Sequence, residues 1–136
     1  MAIRPITRFE GKVVSLPVTA STTLTKNNGC KMSSGYLAAA AAGDNEVEYI
    51  ALETVTGGAS DGDIYALVLP IDDETEFEAL CGTTPVQATH VGNDYDLAGA
   101  ASIDLTGTTD KVFHIDSIVN ATDKLVRGRF NKPAIA

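Results

Sequence analysis

Turn-forming residues divide this 136-residue chain into short apolar segments, and their spacing is the strongest constraint on its fold. Glycine, asparagine, aspartate or proline recurs at intervals of roughly 8–12 residues, with strand-like segments between. No segment combines the amphipathic period and the capping residues of a substantial helix. The sequence therefore predicts an all-β protein: a single-domain β-sandwich or small β-barrel of short antiparallel strands over residues 11–136, preceded by an extended N-terminal arm at residues 1–10.

The segment from Gly92 to Phe130 has the clearest pattern, with three or four short strands joined by polar turns. The strand predicted at 112–119 carries three apolar residues on its packed side: Phe113, Ile115 and Val119. The solvent-facing side of this strand carries His114 and Asp116. The residues at 120–123 are typical of a hairpin connection.

The last strand is predicted at Leu125 to Phe130. Alternation places Val126 and Phe130 on its packed side and Arg127 and Arg129 on its outer side. Earlier strands are predicted at Gly11–Val18, Tyr36–Ala42, Glu46–Glu53, Ile64–Leu69, Thr75–Leu80 and Val86–Val91. The continuous apolar run at 64–69 predicts a central strand buried on both sides.

Composition fits one globular domain of this size. Hydrophobic residues make up 44% of the chain, but aromatic residues only 6% and tryptophan is absent, so Val, Ile, Leu and Ala must supply most of the core. No apolar stretch follows Met1 as in a signal peptide, and none approaches the ~20 residues of a membrane span. We expect a soluble protein made in the cytoplasm.

The net charge of −8 is unevenly distributed. Residues 1–31 carry a net +4, residues 32–110 have fifteen acidic residues and no Lys or Arg, and residues 111–136 carry a net +3. One interpretation is that the basic ends fold back and neutralise the acidic middle. The other is that the two ends together form a basic contact surface for an acidic partner. Nucleic-acid binding is disfavoured because the basic residues are few and the total is acidic.

The contact-surface interpretation names specific residues. The segment at 1–10 contains Pro5 and scattered apolar and basic side chains, which suits a strap that docks onto a neighbour. Its candidate contact residues, together with two from the last strand, are Ile3, Arg4, Ile6, Arg8, Phe9, Arg127 and Arg129.

A run of acidic residues is the most conspicuous candidate for chemistry: Asp72, Asp73, Glu74, Glu76 and Glu78. Clustered carboxylates can hold calcium or act as an acid–base pair. The three glutamates alternate with apolar residues, however, which predicts a solvated strand face. No calcium-binding loop motif is present. We therefore predict no metal site and no cofactor.

The remaining reactive groups are two histidines and two cysteines: His90, His114, Cys30 and Cys81. Neither histidine lies in a recognisable triad, so a structural role on a strand is favoured over that of a base. A disulfide between the cysteines is one alternative, but a pair in a cytosolic chain usually stays reduced. No catalytic residue is predicted.

The pattern VGNDYDLAGAASIDLTGTTDKVFHIDSIVNATDKLVRGRF, with the upstream EFEALCGTT, resembles the small all-β decoration, or cement, proteins of tailed-bacteriophage heads. In these proteins a strand with an aromatic residue and an isoleucine, here Phe113 and Ile115, precedes a hairpin that ends in a strand like Val126 to Phe130. The likeness covers residues 64–130.

The resemblance implies a non-enzymatic virion protein that binds the capsid exterior and stabilises the expanded shell. Its implied partner is a major capsid protein of the HK97-type fold, and its implied state is a homo-oligomer, often a trimer, with no nucleic acid or membrane bound. Two alternatives stay open at this point. One is a tail, baseplate or carbohydrate-binding β-module, and the other is a small all-β enzyme.

Overall fold

The computed structural model describes residues 3–5, 13–72 and 75–131, and within them the regular secondary structure is β-strand apart from one single-turn helix. The first eight strands are β1 (Ile3–Pro5), β2 (Val14–Pro17), β3 (Thr23–Leu24), β4 (Gly29–Ser33), β5 (Tyr36–Ala39), β6 (Tyr49–Ala51), β7 (Val55–Thr56) and β8 (Tyr65–Pro70). The later elements are β9 (Phe77–Cys81), α1 (Gln87–His90), β10 (Asp94–Gly99), β11 (Ser102–Asp104), β12 (Phe113–Asn120) and β13 (Leu125–Phe130). The prediction of a single small all-β domain is confirmed.

The later strands form a closed ring, which we call the C-terminal barrel. Its strands pair in the order β9, β11, β10, β12 and β13, and β13 pairs back onto β9. These pairings are antiparallel except that of β11 with β9, which is parallel. Strand β1 lies antiparallel beside the first half of β9.

The earlier strands form a second sheet, the N-terminal sheet, in the order β2, β8, β6, β4 and β5. Its ends also meet, because Val18 and Leu37 form a parallel bridge and the Thr19 N–H donates to the Leu37 carbonyl at 3.0 Å. The short strands β3 and β7 pair separately. Of the two predicted architectures, the pairings therefore favour the barrel.

Two apolar clusters form the core. The smaller lies inside the N-terminal sheet and includes Val18, Leu37 and Val68. The larger fills the C-terminal barrel around Phe77, Phe113 and Phe130, and it also includes residues from the opposite face of the N-terminal sheet, Ile50 and Leu69. The alternation of strand side chains thus lets β6 and β8 contribute to both clusters.

Several local predictions are confirmed. The last strand spans Leu125–Phe130 as predicted, with Val126 and Phe130 buried. The alanine-rich segment after Gly35 is extended rather than helical, because it forms β5. The β4–β5 hairpin turns at Ser34 and Gly35, whose φ angles are 52° and 89°, so both residues have the left-handed conformation of a tight hairpin turn.

The prediction for Val119 is wrong: this side chain is 42% exposed rather than packed with Phe113 and Ile115. The pairing of β12 with β13 shifts register between Ile115 and Ser117 and again between Ile118 and Asn120. Each irregularity interrupts the alternation of side chains. As a result Ile118, rather than Val119, packs against the larger core cluster.

The prediction that 64–69 is buried on both sides is also wrong. Ala66 and Val68 are buried, but Ile64, Tyr65 and Leu67 are exposed. The larger cluster covers Leu69, near the end of β8, and does not extend to the outer face at the start of the strand. The predicted weak strand at Val86–Val91 contains the single-turn helix α1 instead. There the His90 N–H donates to the Val86 carbonyl at 2.8 Å, and no helix residue is buried.

Part of the predicted N-terminal arm lies within the described residues. The backbone of Ile3–Pro5 pairs with Phe77–Ala79 of β9, whereas residues 1, 2 and 6–10 lie outside the described part of the chain. The boundary between an arm at 1–10 and a domain at 11–136 stays a prediction. No helix in the described residues is long and apolar enough to span a bilayer.

Candidate functional site

The two predicted contact arginines of β13 lie on the outer wall of the C-terminal barrel. Arg127 Nε is 3.6 Å from Glu76 Oε1, and its Nη2 is 3.5 Å from Glu78 Oε2. Arg129 Nε is 3.4 Å from Asp116 Oδ2, across the hairpin on β12. Both arginine side chains are therefore partly compensated by acids of their own barrel.

The two arginines belong to two rows of polar residues that cross the barrel wall. One row places Asp94, His114 and Arg129 side by side on three strands. The other aligns Ser117, Arg127 and Glu78, and its next position on β1 is Arg4. We call the charged residues of this surface the charged wall: Glu76, Glu78, Asp94, His114, Asp116, Arg127 and Arg129. Opposite charges at directly facing positions stabilise a sheet.

The prediction of a solvated acidic face is wrong for Glu78, which is 6% exposed. Alternation does turn it away from the core, but β9 has β13 along one edge and β1 along the start of the other. The Glu78 position therefore lies between two strands rather than at an open edge of the sheet. A buried carboxylate requires a close partner, and the guanidinium of Arg127 supplies one.

The rest of the acidic run is only partly described. Asp72 Oδ1 accepts hydrogen bonds from the backbone and the hydroxyl of Thr75, at 2.7 and 2.9 Å. Asp73 and Glu74 lie outside the described residues. Over 13–72 and 75–131, no group of three or more His, Cys, Asp or Glu side chains is placed to hold a metal ion.

The predicted contact residues are therefore only partly located. Arg127 and Arg129 share one surface and keep 41% and 47% of their side chains exposed. Of the arm residues, Ile3 and Arg4 lie on β1, while Ile6, Arg8 and Phe9 lie outside the described residues. For Arg127, the geometry matches the interpretation in which basic ends neutralise the acidic middle, whereas Arg129 pairs with Asp116 of its own C-terminal segment. Their role in binding a partner stays a prediction.

The two histidines make structural contacts. His114 Nδ1 lies 2.6 Å from Asp94 Oδ1, and its Nε2 lies 3.6 Å from Asp116 Oδ1. His90 Nδ1 accepts the Val86 N–H at 2.8 Å and so closes the turn of α1. Within the described chain, neither ring is hydrogen-bonded to a serine, threonine or cysteine side chain that it could activate.

The cysteines are free and lie in different core clusters, Cys30 in the smaller and Cys81 in the larger. Burial raises the pKa of the Cys30 thiol to about 11, and a hydrogen bond with the Ala51 backbone offsets part of that rise. Burial alone raises the pKa of Cys81 to about 11. Both groups are therefore protonated thiols at neutral pH and poor nucleophiles.

These raised pKa values predict a loss of stability in alkali. Below about pH 9 both the folded and the unfolded chain hold the thiol protons, so the full stability is present. Between about pH 9 and 11 the unfolded thiols ionise first, and the free energy of unfolding should fall by on the order of 2–3 kcal/mol per cysteine. Urea unfolding across this range measures the slope. The Cys30→Ala, Cys81→Ala double variant should be less stable at neutral pH but lose less stability in alkali, and an unchanged slope would contradict the assignment.

A polar cleft of about 420 Å³ lies beside the charged wall, lined by Asn93, Asp94, Tyr95, Thr108 and Lys111. One side is the loop before β12, which Asp96 holds by accepting the N–H groups of Thr109, Asp110 and Lys111. Tyr95 is buried, and its hydroxyl donates to the Thr89 carbonyl. The cleft therefore offers no free aromatic face on which a sugar ring could stack.

No protein-family model and no curated protein sequence matches the chain. Among solved structures, the chain is similar to the N base of the head fiber gp8.5 in bacteriophage phi29, with a TM-score of 0.53. The two proteins share a fold. Their sequences are 14% identical over 92% of this chain and 99% of the phi29 chain. The phi29 protein is itself part of a phage head, the setting that the sequence resemblance implied for this chain.

Sequence reasoning missed the partners of Arg127. The contacts of Arg127 depend on the pairing of β13 with β9, two strands that lie far apart in sequence. Alternation identified the outer face of each strand but carried no signal for which strands are neighbours. The acidic run and the basic last strand were each recognised, and only the fold places them together.

Proposed function

We propose that this chain is a structural protein of a tailed-bacteriophage virion, a decoration or cement protein that binds the outer surface of the head and stabilises the expanded shell. The observation that carries the proposal is the fold shared with the phi29 head fiber base over 92% of the chain. The independent sequence resemblance to phage decoration proteins over residues 64–130 points to the same class.

The proposed role is non-enzymatic. Catalytic acyl or phosphoryl transfer needs a nucleophile beside a base, and the buried cysteine thiols and the carboxylate-bound His114 do not provide this pair. A binding protein needs instead a rigid body and an exposed surface. The barrel, with its phenylalanine core and ion-paired wall, supplies the rigid body.

The proposed partner is a major capsid protein of the HK97-type fold, displayed many times on the outside of an icosahedral shell. Each copy can bind the shell with modest affinity. If neighbouring copies also contact one another, the many repeated contacts on a symmetric lattice together give stable binding. A homotrimer would match a three-fold position of such a shell. The proposal includes neither a nucleic-acid nor a membrane partner, and the acidic net charge of −8 is in keeping with that.

The test is binding to heads of the phage that encodes this chain, prepared without it. We expect the purified chain to co-sediment saturably with expanded heads and to raise the temperature at which they release DNA. Unexpanded procapsids serve as the matched control, since their surface lattice differs while the coat protein is the same. Failure to bind expanded heads, under conditions where the chain is folded, would contradict the proposal. Light scattering of the free chain would give its oligomeric state.

A further inference from the structure

The outer face of the N-terminal sheet is only half covered. At one end Ile50 and Leu69 pair across β6 and β8, and both are buried in the larger core cluster beneath the C-terminal barrel. In a strand, every second side chain projects to the same face, so the side chains two and four positions before Leu69 share its face. Those residues are Leu67 and Tyr65, and the barrel does not cover them.

The uncovered half is apolar. Tyr65 is 58% exposed, Leu67 is 45% exposed, and Val13, just before the neighbouring strand β2, is 48% exposed. Their neighbours in register on β2 are Pro17, beside Tyr65, and Ser15, beside Leu67. We call this surface, made of Val13, Ser15, Pro17, Tyr65 and Leu67, the open face. Exposed apolar side chains grouped on one face of a sheet are typical of interaction sites.

Three carboxylates lie close to the residues of the open face along the chain or by hydrogen bond, and within the described residues none has a basic partner. Glu53 accepts the N–H of Leu67 itself at 2.9 Å, Asp61 accepts the Ala20 N–H at 2.8 Å, and Asp63 accepts the Ser60 N–H at 3.0 Å. In the described chain, none of these three forms an ion pair. The acids of the charged wall, by contrast, face Arg127, Arg129 or His114.

We propose that the open face is the surface through which this chain docks onto its shell, and that the shell presents apolar side chains bordered by Lys or Arg. Taking the partner to be the capsid rests on the proposed function. The apolar centre would supply the buried area, and the basic border would compensate Glu53, Asp61 and Asp63. A second copy of the same face is disfavoured as the occupant, because pairing two such faces would bring like charges together.

The first test replaces the apolar centre. Tyr65→Gln with Leu67→Gln should weaken binding to expanded heads by roughly thirtyfold or more, because large side chains at an interface centre carry most of the affinity. Val86→Gln is the matched control, since Val86 is 50% exposed but lies at the start of α1, away from the open face. Both proteins should melt at the wild-type temperature, because the replaced side chains are exposed.

The second test removes charge while keeping the hydrogen-bond acceptors. Glu53→Gln with Asp63→Asn should weaken binding several-fold at low salt and flatten its salt dependence. Asp123→Asn removes an exposed carboxylate from the β12–β13 turn and should leave both quantities unchanged.

The outcomes separate the inference from the proposed function. If the wild-type chain binds heads and the Tyr65, Leu67 double variant binds equally well, the open face is not the docking surface, although the function stands. If the double variant instead dissociates a wild-type oligomer in light scattering and keeps its affinity for heads, the face joins copies of this chain and the inference fails. If the wild-type chain binds no heads, both fail. Selective loss of head binding in the double variant supports the inference.

Discussion

Replacing Gly128 with alanine is expected to destabilise the protein more than any other single-methyl addition in the barrel. Gly128 faces Ile115 in the β12–β13 pair, beside the register shift. A Cβ there would overlap the His114 carbonyl oxygen and lie 2.8 Å from Phe113 Cε2. Backbone and a packed ring cannot move aside cheaply, so the strands must separate or the ring must leave its position. We expect a loss of at least ~3 kcal/mol and a fall in Tm of roughly 10 °C.

Gly99→Ala is the matched control. Gly99 also lies in a barrel strand, β10, but an added Cβ would meet nothing within 4 Å. This variant should unfold within about 0.5 kcal/mol of the wild-type chain. Thermal and urea unfolding of both variants measures the difference. Equal stability of the two would mean that β12 and β13 are not joined as described.

Phe130→Ala is expected to have the second large effect. The Phe130 ring sits between two others, with centroids 5.2 Å from Phe77 and 5.0 Å from Phe113, both edge to face. All three side chains are at most 1% exposed. Truncation removes both ring contacts and leaves a cavity in a barrel whose strands are tied together on every side. The expected cost is about 3–5 kcal/mol in the free energy of unfolding.

Phe130→Leu separates the cavity from the loss of the ring. Leucine refills much of the volume but cannot make the edge-to-face contacts, so a smaller loss of about 1–2 kcal/mol is expected. Val119→Ala, on the same hairpin but at an exposed position, should cost less than about 0.5 kcal/mol. If Phe130→Ala costs no more than Val119→Ala in urea unfolding, the three-ring cluster is not the centre of the barrel.

The all-β class and the position of the last strand could be predicted because they depend on local patterns. In Leu125–Phe130 the alternation of side chains is uninterrupted, and the pairing with β9 keeps one register along the strand. Val119 could not be placed the same way. The register shifts in β12 depend on how that strand meets its partner, and a one-residue shift reverses the face of every later side chain.

The candidate site was harder to predict than the fold because it depends on distant neighbours. Glu78 was correctly assigned to the outer side of its strand, but the local sequence does not identify the two strands that flank it, β1 and β13. The prediction for the start of β8 was wrong for the opposite reason, because the local pattern indicated burial that the fold does not provide. Its continuous apolar run is typical of a doubly buried strand, yet Tyr65 and Leu67 remain exposed. The exposure of Tyr65 and Leu67 in the folded protein therefore says more about a binding surface than the apolar run in the sequence does.

Closure of the strands into rings reduces the number of free strand edges that a crowded neighbouring copy could pair with. A sheet with free edges exposes a row of backbone N–H and C=O groups that can pair with another molecule. Here β13 pairs back onto β9 and closes the C-terminal barrel, and the Val18–Leu37 bridge joins the two ends of the N-terminal sheet at one point. A barrel closed in this way can be held at very high local concentration without adjacent copies pairing their strands. Contacts between adjacent copies would then depend on side chains, which can distinguish one surface from another.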